Sequence, residues 1–387
     1  MAMLMSLVAL AIDAVMPALP AIAEDLGARS MNDRQLVISS LFFGLAIGTF
    51  IYGPISDSVG RKPPIYVGFA LFVFGTLISL FASDFSTMLL GRVLQGVGIA
   101  APRIVANAIV RDLYRGRDMA RIMSLIMGVF VMVPALAPLI GQGMMLLGGW
   151  RAIFVSFLVL SALTLMWFSL RQPESLPPTK RAPFSLSHLM SASMIVIKQP
   201  VARGYTIAIG LVFGPFVGYL NSTQQILQEL YGLGDRFPLV FALIAVFFGI
   251  ASYANARLVM QWGMRDLSYK ALWALCVASV LFFLVAWVMQ GKPPLVLLIL
   301  YLGLTFFCVA ILFGNLNAMA MEPKELGAIA GIAAALIGSV STLIAAPLGG
   351  LIGHLYNETV LPLAGGFALS GSATLAVFYF AEKRPSP

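Results

Sequence analysis

The run from Pro293 to Ala318, PPLVLLILYLGLTFFCVAILFGNLNA, decides the fold class of this chain. It contains no charged residue, and its apolar residues are continuous rather than alternating with polar ones. A helix needs about 20 mostly apolar residues to cross a bilayer, whereas a strand of a membrane barrel would show alternation. Since backbone groups in lipid must be hydrogen-bonded internally, the run predicts a transmembrane helix.

The rest of the chain has the same character. Of its 387 residues, 60% are hydrophobic and only 10% are charged, and the mean hydropathy is +0.95. A soluble domain is about half apolar and about a quarter charged, so a water-soluble enzyme, a disordered protein and a small disulfide scaffold are excluded. The net charge of +8 lies in short gaps between apolar runs, which argues against nucleic acid as a partner.

Twelve apolar segments predict an all-α membrane protein with twelve transmembrane helices in two pseudo-symmetric six-helix bundles. One long polar connector separates segments six and seven, so we expect an N-terminal bundle at residues 1–171, a cytoplasmic linker at 172–200 and a C-terminal bundle at 201–387. The predicted spans are 3–23, 36–55, 64–83, 86–110, 119–147, 150–171, 203–228, 237–261, 268–290, 293–318, 326–353 and 358–381.

The basic residues orient these segments. With the N-terminus in the cytoplasm, 17 of the 24 Lys and Arg residues fall on the cytoplasmic side, five on the opposite side and two inside segment four. Cytoplasmic loops carry the excess of Lys and Arg, so both termini are expected in the cytoplasm. The short lead before the first segment leaves open a trimmed N-terminus.

The two halves share a weak internal repeat. Residues 137–141 read Ala-Pro-Leu-Ile-Gly, and residues 346–349 read Ala-Pro-Leu-Gly at the equivalent place in the second half. Duplicated halves with a site between them are typical of secondary transporters.

Asp13 is the one acid expected near the centre of a span. Burial disfavours the ionised form of a carboxyl group, so such a residue can bind and release a proton near neutral pH. The functional interpretation is a proton-coupling acid that faces a central cavity. The alternative is an aspartate that caps or pairs a helix near the membrane surface.

Arg92 lies in segment four within Leu90-Gly91-Arg92-Val93-Leu94-Gln95. Arginine keeps its charge at ordinary pH, so it must face water, a carboxylate or backbone carbonyls. The functional interpretation is a residue that tunes Asp13 or orients the first helix. The alternative is a packing arginine that reaches toward the membrane surface.

The loop between segments two and three reads GPISDSVGRKPPI over residues 53–65. The charges could form a latch that closes in one transport state and opens in the other, with Arg111 as a partner for Asp57. The alternative is a loop that only sets topology. The latch candidates are Gly53, Asp57, Gly60, Arg61 and Arg111.

Segment five is rich in proline and glycine, which bend a helix and allow close packing against a neighbour. Such a helix could rock, although ordinary membrane packing gives the same composition. The candidate residues are Gly128, Pro134, Pro138 and Gly141.

Together these motifs resemble the major facilitator superfamily. The 53–65 loop is similar to its signature loop, with Ser58 where arginine is frequent, and Arg92 with residues 95–98 is similar to its fourth-helix motif. Segment five is similar to the antiporter motif of the drug-exporting branches, with Gln142 where glycine is usual. Stretches across the whole chain, including residues 13–22 and 228–233, resemble the Bcr/CflA-type drug-resistance subgroup.

This resemblance implies a proton-driven drug antiporter of the bacterial inner membrane that alternates between inward-open and outward-open states. It assigns proton coupling to Asp13 and Arg92, the latch to the 53–65 loop and, less directly, Arg111. It implies no cofactor beyond the proton gradient, protons and a small-molecule drug as partners, a lipid bilayer as environment and a monomeric state.

Polar and aromatic residues within spans are the candidates for a drug pocket, since such pockets are mainly apolar with a few placed polar groups. Each could instead form an interhelical hydrogen bond, worth about 0.6 kcal/mol. The candidates are Met16, Phe42, Tyr219, Asn221, Gln224, Gln225, Tyr253, Asn255, Asn315 and Asn317.

Three other functions compete with drug export. An uptake symporter of the same fold for a small metabolite would carry its substrate inward with protons. A membrane-embedded enzyme is disfavoured because the sequence lacks HExxH, GxSxG and paired carboxylates within helices. A membrane sensor is disfavoured because no soluble domain is attached.

Overall fold

The computed structural model of the chain describes residues 1–30, 32–114, 116–181 and 186–382. The secondary structure of these residues is helical, without a strand, which confirms the all-α prediction. The helices form two compact units, Met1–Ser191 and Ala192–Pro387, named unit 1 and unit 2 below.

Unit 1 begins with a helix that breaks near its middle. Pro17 has no N–H and cannot donate to the carbonyl of Asp13, so the α-helix ends there and resumes after one 3-10 turn. A glycine pair, Gly148 and Gly149, has non-helical backbone angles inside the last long helix. The helices are α1 (Ala2–Asp13), α2 (Leu19–Asp25), α3 (Leu36–Val59), α4 (Lys62–Leu80), α5 (Phe85–Leu113) and α6 (Gly116–Arg171), and α7 (Leu186–Lys198) lies within the predicted linker, across the boundary between the two units.

Helix α5 is the central helix of unit 1, packed between α3 and α4. Its contacts are made by glycines. A Cβ atom at Gly96 would overlap the Leu41 carbonyl oxygen of α3, and one at Gly98 would overlap the Phe72 backbone of α4. The absence of side chains lets these backbones approach closely, as at many membrane-helix interfaces.

Unit 2 begins with a helix that ends in a π-helical turn at Gln225–Leu230. A glycine with φ of +73°, Gly263, interrupts its longest helix. The helix Leu295–Ala320, called the central helix of unit 2 below, packs against the helices Pro200–Gln224 and Phe237–Val288. The helices are α8 (Pro200–Gln224), α9 (Phe237–Val288), α10 (Leu295–Ala320), α11 (Ala330–His354) and α12 (Leu361–Glu382).

Ten of the described helical stretches are long and apolar enough to cross a membrane, whereas the sequence predicts twelve segments. The difference lies in two places. Predicted segments five and six form the single helix α6, and segments eight and nine form α9. A straight helix of 52 residues would be about 78 Å long, over twice the hydrocarbon thickness, so the glycine breaks must redirect the chain.

Candidate functional site

Asp13 lies at the helix break in unit 1, midway along the apolar stretch Met3–Asp25. Its residue surface is 4% exposed, and the neighbouring Val15 and Met16 are fully buried. The buried atom Oδ1 has no hydrogen-bond partner among the described residues. A carboxyl group in this position can exchange a proton, and within the described residues it has no counter-ion.

The glycine-rich helix α6 packs directly beside this acid. A Cβ atom at Gly141 would overlap the carbonyl oxygen of Ala14, the residue that follows Asp13. Pro138 is buried and Pro134 is partly buried on the same helix. The surroundings of Gly128 lie outside the described side chains. A movement of α6 would therefore displace the backbone at the helix break that carries Asp13.

Arg92 is fully buried on α5 and binds backbone rather than a carboxylate. It donates from Nε to the Val37 carbonyl of α3 at 2.9 Å and from NH2 to the Ala11 carbonyl of α1 at 2.9 Å. The described residues show no hydrogen bond or ion pair from Arg92 to Asp13. Arg92 is thus joined to the backbone of the first helix, and its part in proton coupling stays a prediction.

A second chain of hydrogen bonds extends from Arg92 to α4. NH1 donates to Gln95 Oε1 at 2.8 Å, and Gln95 Nε2 donates to Thr76 Oγ1 at 2.8 Å. Arg92 thus ties α5 to α1 and α3 directly and to α4 through Gln95.

The α3–α4 loop carries a network of charges centred on Arg61, which is 3% exposed. Arg61 NH1 contacts Asp57 Oδ1 at 2.5 Å, and Nε donates to Asp112 Oδ2 at 2.7 Å. Burial by itself lowers the pKa of this guanidinium, but the hydrogen bonds to Asp112 and Asp57 outweigh burial and raise the pKa. Ser56 Oγ accepts from Arg61 NH1 at 3.0 Å and donates to the Gly53 carbonyl at 2.9 Å.

The partner predicted for Asp57 is wrong in this structure. Arg111 is exposed, and the cation on Asp57 is Arg61 of the same loop. The neighbouring Asp112 is the residue of α5 that reaches the loop, and sequence reasoning missed it. Successive helix residues point about 100° apart, so only one of the pair can face the loop, and the sequence alone does not show which.

In unit 2 aromatic rings of α8 pack against rings of α9 and α10. Tyr219 is 1% exposed, stacks on Phe241 with centroids 5.9 Å apart and meets Phe306 edge-on at 4.8 Å. We name these rings the aromatic cluster, and Tyr219 is the one member that the sequence predicts. Its members are Phe213, Phe216 and Tyr219 on α8, Phe241 and Phe248 on α9, and Phe306 and Phe313 on α10.

Two candidate amides meet on α9 and α10. Asn255 Nδ2 donates to Asn315 Oδ1 at 3.2 Å. The remaining atoms of the pair, Asn255 Oδ1 and Asn315 Nδ2, are buried without a hydrogen-bond partner among the described residues. The pair therefore has one acceptor and one donor available, as a polar ligand group would require.

A second amide group lies at the far end of α8, by the π-helical turn. Asn221, Gln224 and Gln225 are each 1% exposed. Gln224 Nε2 donates to Gln228 Oε1 and Glu229 Oε1 at 3.1 Å, while Gln224 Oε1 is buried with no hydrogen-bond partner in the described part of the chain. π-helical turns are rare and frequently occur at functional sites.

The remaining candidates lie outside the aromatic cluster and the two groups of amides. Tyr253 is 64% exposed and receives a hydrogen bond from Arg257. Asn317 donates to the Phe313 carbonyl of its own helix at 2.7 Å. Met16 and Phe42 are buried in unit 1, and the other eight pocket candidates belong to unit 2. In the described part of the chain, no cluster of His, Cys, Asp and Glu could hold a metal ion.

Comparison with known proteins identifies the family. Residues 1–346 match the Major Facilitator Superfamily. The chain is 28% identical over 378 residues to the bicyclomycin resistance protein homolog of Haemophilus influenzae, with 96% of this chain and 92% of that protein covered. It is 28% identical over 374 residues to multidrug resistance protein D of Escherichia coli, with 92% and 87% covered.

The fold is shared with a solved transporter as well. A D-xylose–proton symporter superimposes with a TM-score of 0.72 at 16% identity, over 99% of this chain and 96% of that one. At this identity the likeness concerns the fold.

Proposed function

The chain belongs to the major facilitator superfamily, and we propose that it is a proton-coupled multidrug efflux antiporter that exports amphipathic small molecules across the bacterial inner membrane. Family membership makes the chain a multi-pass membrane transporter rather than an enzyme. Its similarity to relatives named for bicyclomycin and multidrug resistance supports drugs as the substrate class.

The proposed architecture has twelve crossings, both termini in the cytoplasm and a monomeric state. Two observations support the number of crossings and their orientation. The glycine breaks in α6 and α9 each allow one long helix to serve as two crossings. The excess of Lys and Arg in alternate loops fits that count. In this arrangement residues 1–171 and 201–387 form the two bundles, and residues 172–200 form the cytoplasmic linker.

Asp13 is the proposed proton carrier, and its buried carboxyl atom without a partner is the observation that carries the proposal. Arg92 holds the carbonyl of Ala11 two residues away and so orients this part of the helix. An arginine bound to backbone leaves the carboxyl group free to take up a proton. The break after Asp13 and the contact at Gly141 give the site a way to respond to helix movement.

The proposed cycle is a competition between proton and drug. Protonation of Asp13 from the outside favours release of the drug, and deprotonation toward the cytoplasm favours reloading. Coupling requires that the two conformations differ in affinity for both ligands. The network of Arg61, Asp57 and Asp112 acts as a latch that is closed in one conformation and open in the other.

The substrate is proposed to bind mainly through residues of unit 2. The aromatic cluster supplies flat apolar surface, and the Asn255–Asn315 pair supplies one donor and one acceptor. The amides near the π-helical turn, Asn221, Gln224 and Gln225, add polar contacts. Ligand pockets typically combine apolar walls with a few placed polar groups.

The variant Asp13→Asn tests the mechanism. It keeps the size of the side chain but cannot lose a proton, so drug efflux driven by a pH gradient in everted vesicles should fall at least tenfold, while the purified protein still binds drug. Asp84→Asn is the matched control, because Asp84 is an exposed helix cap and asparagine caps equally well. Undiminished pH-driven efflux by Asp13→Asn would refute the assignment.

Uptake by proton symport is the alternative, and the fold shared with a D-xylose–proton symporter is compatible with it. The two functions differ in the direction of substrate flux relative to protons. Vesicles of known orientation separate them, since export accumulates drug in everted vesicles when their interior is acidic, and symport does not.

A further inference from the structure

The first residues after α6 contact the α3–α4 loop. The carboxylate of Glu174 accepts hydrogen bonds from the backbone N–H of Arg61 to Oε1 at 2.8 Å and of Lys62 to Oε2 at 3.0 Å. It also accepts from the Leu176 N–H at 3.0 Å. The first two bonds join the linker to the two loop residues that follow Gly60, and the third fixes the carboxylate within the linker.

The same segment reaches the charge network of the latch. Ser175 Oγ donates to Asp112 Oδ2 at 3.1 Å, the oxygen that also accepts from Arg61 Nε. Leu176 is 8% exposed, so the linker is anchored by apolar burial as well. The linker therefore contacts the backbone of the α3–α4 loop and also Asp112, the acid that pairs with Arg61.

The turn at Gly60 brings the two segments together. Gly60 has φ of +104°, a conformation that favours glycine. A Cβ atom there would lie 2.8 Å from Glu174 Oε2 and 2.9 Å from Arg181 NH2. The space above this glycine is thus occupied by the linker.

Glu174 remains ionised in this setting. Partial burial works to raise the pKa of its carboxyl group, but the hydrogen bonds from the backbone of Lys62, Leu176 and Arg61 and the charge of Arg181 together lower the pKa. Hydrogen bonds to an ionised acceptor are about twice as strong as neutral ones.

We propose that Glu174 is a positioning residue of the latch: it holds the loop backbone so that Arg61 bridges Asp57 and Asp112, and the linker must detach from the loop when the latch opens. This proposal rests on the proposed alternating-access function. It assigns the start of the linker to the moving machinery of unit 1 rather than to a passive connection. Tension or binding at the linker would then change the rate of switching.

The test compares Glu174→Gln with Glu325→Gln. Glutamine keeps the shape of Glu174, but its amide has one acceptor oxygen and places an NH2 group against a backbone donor, so at least one of the Arg61 and Lys62 bonds is lost. The control removes an equal charge from an exposed acid in unit 2 that accepts one bond from Gln199.

Two measurements are made on the full-length protein. Trypsin cleavage at the basic residues between 171 and 181 reports release of the linker, and drug transport in everted vesicles separates maximal rate from apparent affinity. We expect Glu174→Gln to raise the cleavage rate at least fivefold and to change the maximal rate at least threefold with the same apparent affinity. Glu325→Gln should match the wild type in both.

Equal cleavage rates in Glu174→Gln and the wild type would overturn the proposal, as would a change in apparent affinity alone. If Glu174→Gln does not fold, Ser175→Ala removes only the bond to Asp112 and should show smaller shifts in the same directions. Absence of those shifts would also overturn it. A wild type that moves no drug refutes the proposed function instead, and the cleavage comparison still reports on the linker contact.

Discussion

Unit 1 and unit 2 hold their central helices in different ways. In unit 1, α5 meets its neighbours through glycines on both sides, so backbone lies against backbone. In unit 2, α10 meets α8 and α9 through aromatic rings, and its own Gly303 faces the ring of Phe247. Backbone contacts cannot yield without moving a helix, whereas rings can change rotamer. The same arrangement of helices is therefore rigid in one unit and adaptable in the other.

The units also differ in the charges that they bury. Among the described residues, the buried charged side chains are Asp13, Arg34, Arg61 and Arg92, all in unit 1. The buried polar residues described in unit 2 are amides and hydroxyls. In the proposed cycle the proton is carried by an ionisable group in a fixed setting, and the drug is bound by neutral groups in an adaptable one. The difference suits unit 1 to coupling and unit 2 to recognition.

The largest expected effect breaks the glycine packing of unit 1. In Gly44→Ala the new methyl group overlaps the Val93 carbonyl oxygen, so α3 and α5 must separate, and we expect destabilisation above about 3 kcal/mol or loss of folded protein. Gly303→Ala places a methyl 3.1 Å from a movable ring and should cost about 1 kcal/mol. Unfolding of the purified proteins in detergent measures both.

Gly143→Ala is the control for helix propensity, since among the described residues no atom outside its own stretch of helix backbone lies within 4 Å of the added methyl. Equal losses at Gly44 and Gly303 would show that the two units are equally rigid.

The next largest effect concerns the polar groups that join α5 and α10 to their neighbouring helices. Arg92→Met removes the only side-chain bond given for the Ala11 carbonyl among the described residues and one of two for the Val37 carbonyl, which also accepts from Ser40 Oγ, so it should destabilise the protein by about 2 kcal/mol. Asn315→Leu removes one interhelical bond and should cost about 0.6 kcal/mol. Denaturant unfolding of both variants measures the difference, and a larger loss for Asn315→Leu would contradict this view of unit 2.

The smallest effect compares the loop charges of the two units. Arg265 pairs with Glu322 at 2.9 Å in unit 2, but the two side chains are 57% and 36% exposed. Glu322→Gln should therefore change stability by less than about 1 kcal/mol and leave transport close to wild type. Asp112→Asn breaks a pair whose arginine side chain is 4% exposed, so it should lower the transport rate several-fold.

Drug efflux assays and thermal unfolding of the two variants are the measurement. Similar behaviour of Asp112→Asn and Glu322→Gln would mean that the unit 1 loop has no special part in switching.

Several features could be read from the sequence and several could not. The apolar runs predict the helices, and the motifs around Asp13, the 53–65 loop and Arg92 predict the family. Choosing Asp112 over Arg111 requires the rotational phase of α5. Glu174 lies over a hundred residues from the loop it binds, so no local pattern links the two. Tyr253 looks like a pocket residue in sequence and yet is mostly exposed.

What the sequence by itself determined is the membrane-spanning, all-helical class, because apolar composition over about 20 residues is a local property that lipid reads directly. The break at Asp13 interrupts the span that the sequence predicts at 3–23, and its physical reason is that Pro17 lacks a donor. Only the tertiary structure decided that Arg92 binds carbonyls, that glycines pack α5 and rings pack α10, and that the linker holds the loop. Those features depend on which helix faces meet, and that choice belongs to the whole chain.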